Sequence, residues 1–203
     1  MRHWKPFSDM PARTTMSGFA GVSISHVTGI PGFHPYRRKS RMDQKIFLEK
    51  FGAVFEHSPW VAELVFRDGG GFVRDAETLC AKFESVFLAA DPALQLATLR
   101  AHPRLACALG DPDDLTLDSA SEQSAAGLDQ CSEDELAEFA RLNMAYLDKF
   151  GFPFIIAVKG FNLHQILGEF HKRLNYKIID EYKIALEQTC KIARFRIMDI
   201  LND

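Results

Sequence analysis

Lys177 to Leu201 reads KIIDEYKIALEQTCKIARFRIMDIL, and this stretch decides the fold class. At about 100° per residue, Ile178, Ile179, Tyr182, Ala185, Leu186, Thr189, Ile192, Ala193, Ile197 and Ile200 gather on one broad arc. The spacing predicts a long amphipathic helix over about 177–201. Arg196 lies inside the arc, about five turns along from Ile178 and in line with it. Arginine keeps its charge, and burying that charge without a partner is expensive. Three outcomes are open: a carboxylate of the protein, snorkelling past the edge of the arc, or an anionic ligand. Arg194 falls near the edge of the arc and needs no such explanation.

Outward from this helix the pattern stays helical. Asp43 is a candidate N-cap for a helix carrying Ile46, Phe47, Phe51, Val54 and Phe55. Pro59 opens a short helix through Val61, Leu64 and Val65, which Gly69-Gly70-Gly71 ends. Leu79, Phe83, Val86 and Phe87 mark a third helix, and Pro92 opens a fourth running to about Ala101. Ser132 and Glu135 have capping-box spacing ahead of Leu136, Phe139, Leu142 and Tyr146 on one face. Phe150 to Val158 is a short apolar run with Gly151 and Pro153, closer to a buried extended segment than to a helix. A helix over about 162–174 precedes the last one. No βαβ alternation, GxGxxG, P-loop or repeat is present. The fold class is all-α, a single-domain multi-helix bundle with a long C-terminal helix and a disordered N-terminal leader.

Composition narrows the function classes. The chain has 203 residues, 47% of them hydrophobic, enough for one domain with a sizeable core. A pI near 6.2 argues against a nucleic-acid partner, and no apolar run is long enough to span a membrane. Cys80, Cys107, Cys131 and Cys190 are widely spread without CxxC, which fits reduced thiols in a cytoplasmic protein. The charge is uneven: residues 1–42 carry seven Lys/Arg and one acidic residue, leaving 17 basic and 26 acidic in 43–203. Residues 1–42 lack the apolar core of a secretory signal, and Gly29, Pro31, Gly32 and Pro35 would break a transit-peptide helix. They read as a basic, disordered leader, with Met42 as an alternative start, and 43–203 as the helical domain. The terminal Leu201-Asn202-Asp203 is not a peroxisomal address.

Two further stretches hold candidate chemistry. His102 ends a helix and is followed by Pro103, on a loop that can face a cleft. A near-neutral pKa suits histidine for proton transfer, although a single HisPro also suits a satisfied structural histidine. Ser119 and Glu122 have capping-box spacing, so the residues alone favour a helix cap, whose N-terminus could also receive an anion. His164 and His171 with Glu169 match no strong metal motif, since the two histidines would lie about 10 Å apart along a helix.

HPRLA (102–106), SASEQ (119–123) with AGL (126–128), RLN (141–143) with Tyr146, FGFPFIIAV (150–158) and KIARFRI (191–197) resemble one enzyme family in order and spacing. That family is 2-oxo-4-hydroxy-4-carboxy-5-ureidoimidazoline (OHCU) decarboxylase, of the urate-to-allantoin pathway. FLEKFGAVFEHSPWVA (47–62) is similar to its first helices, so the resemblance covers about residues 44–201. It implies an all-helical decarboxylase without a cofactor or metal, acting on a small-molecule substrate. By the same resemblance His102 is the catalytic histidine, Glu122 its acidic partner and Arg196 the arginine near the substrate. Pro103, Ser119, Ala120, Ser121, Glu122 and Gln123 would bind substrate, as would Phe154, Ile155, Ile156, Ala157 and Val158, largely through the backbone of the second segment. Arg104 departs from the Asp common in the family, and the 42-residue leader lies outside the pattern.

Decarboxylation leaves an electron pair that the substrate's C=N and carbonyl system can take up. The protein then has to orient the substrate, stabilise charge and deliver a proton to one face. The implied product is (S)-allantoin. A non-catalytic interaction module on the same fold is the alternative, and a membrane-surface role for the basic leader a weaker one, since Gly and Pro break any amphipathic face. Exposed helical faces point to a homodimer.

Overall fold

The computed structural model describes residues 41–73, 75–106 and 116–202, in which eight α-helices and no strand occur. Six of the eight helices begin where a side chain accepts from one of the first free amides. Asp43 caps α1 (Gln44–Phe51), and Pro59 precedes α2 (Trp60–Arg67). Gly69, at φ 83°, turns the chain into a 3-10 turn at Gly70–Phe72. Asp75 caps α3 (Ala76–Leu88), and Asp91 caps α4 (Pro92–Arg100), with Pro92 in its first turn. Thr116 caps α5 (Leu117–Ala125). Capping boxes open α6 (Glu133–Phe150) through Ser132 and Glu135, and α7 (Leu163–Arg173) through Asn162 and Gln165. The last helix is α8 (Ile178–Asn202).

The long helix organises the rest, packing against α3, α4 and α6. Two aromatic clusters fill the core. Phe47, Phe51, Phe55, Phe66, Phe83 and Phe87 join α1, α2 and α3, and Phe55 and Phe87 have ring centroids 4.7 Å apart. Tyr146, Phe150, Phe152, Phe154 and Phe170 join α6, α7 and the chain between them, with Phe154 stacked on Phe170 at 3.9 Å. Burying each such ring stabilises the fold by about 2 kcal/mol. Of the extended run expected over Phe150 to Val158, Phe150 instead ends α6 and Gly151 caps it, while residues 152–158 are buried and belong to no helix or sheet. No helix among the described residues is long and apolar enough to cross a membrane.

Several local expectations change. The first helix stops at Phe51, so Val54 and Phe55 are buried from the following turns, while Ile46 is largely exposed. Ile178 and Ile179 are exposed in the first turn of α8, and Glu181 turns inward instead. Ser119 does not cap α5. Thr116 takes that place, and Ser119, one turn inside the helix, is buried. The leader expected over residues 1–42 lies outside the described residues apart from Arg41 and Met42, as does Cys107. Arg41 donates to Phe66 O at 2.9 Å and lies over the Phe66 ring, and the Met42 amide donates to Gly71 O at 2.8 Å.

Candidate active site

The end of α4, α5, the turns after α1 and the 154–158 segment converge beside the C-terminal half of α8. The end of α4 supplies His102, whose amide still bonds Leu99 O at 3.3 Å before Pro103 breaks the helical ladder. The loop beyond is held on both sides. Ala106, at φ 53°, donates its amide to Gln123 Oε1 at 3.0 Å, and Asn143 Nδ2 donates to Leu105 O at 2.9 Å. Ser119, Glu122 and Gln123 share one face of α5 by their i, i+3, i+4 spacing. Arg196 comes from α8 and Glu56 from the turns after α1.

His102, Pro103, Leu105, Ser119, Glu122, Gln123, Phe154, Ile155, Ile156, Val158, Ile192 and Arg196 line one small, partly open cavity of about 30 Å³. Ser121 and Ala157 line a neighbouring cleft together with Glu122 and Val158, while Ala120 is exposed and borders neither space. Of the residues expected to bind substrate, all but these three therefore surround the inner cavity. The Ala157 amide is committed to Gln188 Oε1 at 3.0 Å, and the Ile155 carbonyl to Arg173 Nη1 at 2.8 Å. Those two backbone groups are accordingly spoken for by the protein.

Arg196 resolves the question its position raised, because it meets two carboxylates. Its Nε donates to Glu122 Oε1 at 2.8 Å and its Nη2 to Glu122 Oε2 at 3.0 Å, a bidentate pair. Its Nη1 donates to Glu56 Oε2 at 2.7 Å. Glu56 is fully buried and also accepts from the Thr116 hydroxyl at 2.6 Å and the Ser119 hydroxyl at 2.9 Å. Burial alone would raise the Glu56 pKa, but the bonds from Thr116 and Arg196 outweigh it and hold the carboxyl below its ordinary range. Burial opposes the charge of Arg196 too, yet Glu122 and Glu56 raise its pKa further.

His102 behaves differently. Burial pushes its pKa down to about 4, assisted by Arg196 and His57 and opposed by Glu56. The imidazole is neutral at physiological pH, and its Nε2 is buried without a hydrogen-bond partner among the described residues. A neutral ring offers one donor and one acceptor nitrogen, so this site can receive or give a proton without first losing an ion pair. Glu122 bonds Arg196, and the carboxylate whose charge acts on His102 is that of Glu56.

Glu56 is the site residue that the sequence reading did not single out. It sits in an apolar neighbourhood with no periodicity to mark it, and only Arg196's need for a carboxylate could have prompted a search. Asn143, within the RLN motif, acquires its role as a clamp on the His102 loop only in the fold. His171, considered as a metal ligand, pairs with Glu138 at 3.0 Å.

A family model described as OHCU decarboxylase matches residues 40–198. The 2-oxo-4-hydroxy-4-carboxy-5-ureidoimidazoline decarboxylase of Haloferax volcanii is 35% identical over 160 residues, 79% of this chain and 92% of that protein. The uric acid degradation bifunctional protein PucL of Bacillus subtilis is 36% identical over 167 residues, 81% of this chain. This chain spans only 32% of that longer protein. Among solved structures, an (S)-allantoin synthase aligns with TM-score 0.62 at 28% identity, over 78% of this chain and 50% of the other. An OHCU decarboxylase in the presence of (S)-allantoin aligns with TM-score 0.61 at 25% identity, over 74% and 96%. The match over nearly all of the helical domain, with relatives of similar length, shows that this chain belongs to the OHCU decarboxylase family.

Proposed function

We propose that this protein converts 2-oxo-4-hydroxy-4-carboxy-5-ureidoimidazoline to (S)-allantoin in urate catabolism, with His102 moving the proton. Family membership supports the reaction, and one observation carries the assignment of the site. His102 Nε2 is buried and unpartnered in the cavity that Arg196 and Glu122 also line. Leaving a buried polar atom unpaired costs about 1–3 kcal/mol, a cost that a ligand at this position would relieve.

In the proposed reaction the bond from the ring carbon to the carboxylate breaks and carbon dioxide leaves. The electron pair passes into the C=N and carbonyl system of the substrate, and a proton is added on one face. Neutral His102 takes the proton of the substrate hydroxyl and helps deliver one to the ring. Arg196 holds the anionic edge, and its fixed position requires no reorganisation as charge shifts. Free amides of residues 154–158, other than that of Ala157, would face the ureido and ring oxygens.

The test converts urate with a uricase and a hydroxyisourate hydrolase, then adds this protein while circular dichroism is followed. Optically active allantoin should form rapidly. Formation no faster than in the protein-free control, with a racemic product, would return the chain to the interaction-module reading. We also assign the protein to the cytoplasm, supported by unbridged Cys80, Cys131 and Cys190, and to a homodimer, supported by exposed Met144, Ile178 and Ile179. Fractionation and sedimentation equilibrium test these two assignments.

A further inference from the structure

A guanidinium carries five N–H donors, and on Arg196 all five are engaged. Nε and Nη2 hold the two oxygens of Glu122, Nη2 also reaches Ser119 Oγ at 3.1 Å, and Nη1 reaches Glu56 Oε2 and, at 3.5 Å, Ala53 O. No donor is left for an incoming anion. The cavity of about 30 Å³ has room for one or two water molecules, far less than a substituted imidazoline needs.

The two carboxylates on Arg196 are not equivalent. Glu56 is fully buried and held by three side chains. Glu122 is one-third exposed, and Arg196 is its hydrogen-bonding partner among the described residues. Glu122 also lines both the inner cavity and an outer cleft of about 390 Å³, whose lining includes Lys159, Phe195 and Asp199.

We propose that Glu122 occupies the place of the substrate's carboxylate. An incoming carboxylate replaces it on the Nε and Nη2 edge of Arg196, and the departing side chain joins the two spaces. The ligand's carboxylate then lies in the inner cavity and its uncharged arm in the outer cleft. One carboxylate exchanges for another, so the buried guanidinium is never left unpaired, the state that makes breaking such pairs expensive. Glu56 stays in place and keeps Arg196 aimed. The exchange also explains turnover: once carbon dioxide has left, a neutral product has no carboxylate to compete with, and Glu122 returns to Arg196. The identity of the ligand rests on the decarboxylase reading, while the exchange itself requires only a carboxylate.

Calorimetric titration of the wild-type, Glu122→Gln and Glu122→Ala proteins tests this with two stable probes, hydantoin-5-acetate, which carries a carboxylate, and allantoin, which is neutral. Hydantoin-5-acetate should bind both variants at least about tenfold more tightly than wild type, while the affinity for allantoin changes less than about threefold. Equal or weaker binding of the carboxylate probe by the variants, or no binding, overturns the proposal. A crystal structure of the wild-type protein with this probe should show Arg196 bonded to the probe and to Glu56, with Glu122 displaced. A probe seated in the outer cleft with the Arg196–Glu122 pair intact also overturns it. Either failure leaves wild-type allantoin formation unaffected, so loss of the exchange and loss of the decarboxylase reading are distinguishable.

Discussion

Two arginines are buried among the described residues of this fold, and their surroundings are built to different ends. Arg173, at the end of α7, meets Glu181 on α8, and the Tyr146 hydroxyl donates to the same carboxylate. Its remaining contacts are the Ile155 carbonyl and the Phe154 ring, 4.5 Å from the guanidinium carbon. Burial and Glu181 raise the Tyr146 pKa against the pull of Arg173, so the phenol keeps the proton it donates. Nothing in this network reaches solvent: the Glu181 side chain is 0% exposed and that of Arg173 is 3%. Arg196 has one equally enclosed partner, Glu56, and one at 33% exposure, Glu122. A buried charge whose partners are all enclosed holds a segment in place, here residues 154–158. A buried charge with one movable partner can exchange that partner for a ligand.

The largest expected effect separates the two networks. Glu181→Gln leaves Arg173 buried without its counter-charge and should cost about 3–5 kcal/mol in urea denaturation. A cost below about 1 kcal/mol would place solvent or a substitute anion at Arg173 and undo the contrast.

The second effect concerns His102, which is neutral because it is buried beside Arg196. Its pKa falls from 6.5 to about 4 in the folded protein, so between these values the unfolded chain binds more protons. Its contribution is present in full above pH 6.5 and is lost as pH falls towards 4, by up to about 3 kcal/mol. A His102→Gln protein should lack this part of the acid limb when stability is followed against pH. An unchanged limb would mean that His102 is solvated and titrates normally.

His102→Ala should lower allantoin formation by at least about a hundredfold while leaving the Arg173 network undisturbed. Activity within about threefold of wild type would remove His102 from the reaction. The smallest effect belongs to the movable partner. Glu122→Gln should change stability by less than about 1 kcal/mol, since a partly exposed carboxylate is readily replaced by water. A loss as large as that of Glu181→Gln would mean that Glu122 is as fixed as Glu181, which would sharpen doubt about the exchange rather than about the fold.

Much of this organisation is legible in the residues. Caps at Asp43 and Ser132, the proline starts at Pro59 and Pro92, and the extended run ending at Val158 are local matters, set by side chains a few positions apart. The α5 cap is Thr116, three residues before Ser119, since the two have similar capping chemistry and the Ser119 hydroxyl instead donates to buried Glu56. Glu181 lies on the inner arc of α8, four residues before Ala185, yet a reading that collects apolar residues passes over it. Its burial is explained by Arg173 and Tyr146, which arrive from other helices.

By itself the amino-acid sequence determined the helical class, the long last helix, the place of Arg196 on its inner arc and the motifs that place the chain in its family. Tertiary structure alone decided that the partner is a pair of carboxylates, that Glu122 bonds Arg196, and that burial lowers the His102 pKa. The reason is physical. Helix periodicity and capping depend on residues within one or two turns of each other, whereas charge state and pairing depend on desolvation and on groups as far apart in the chain as Glu56 and Arg196, brought within 2.7 Å only when the core closes.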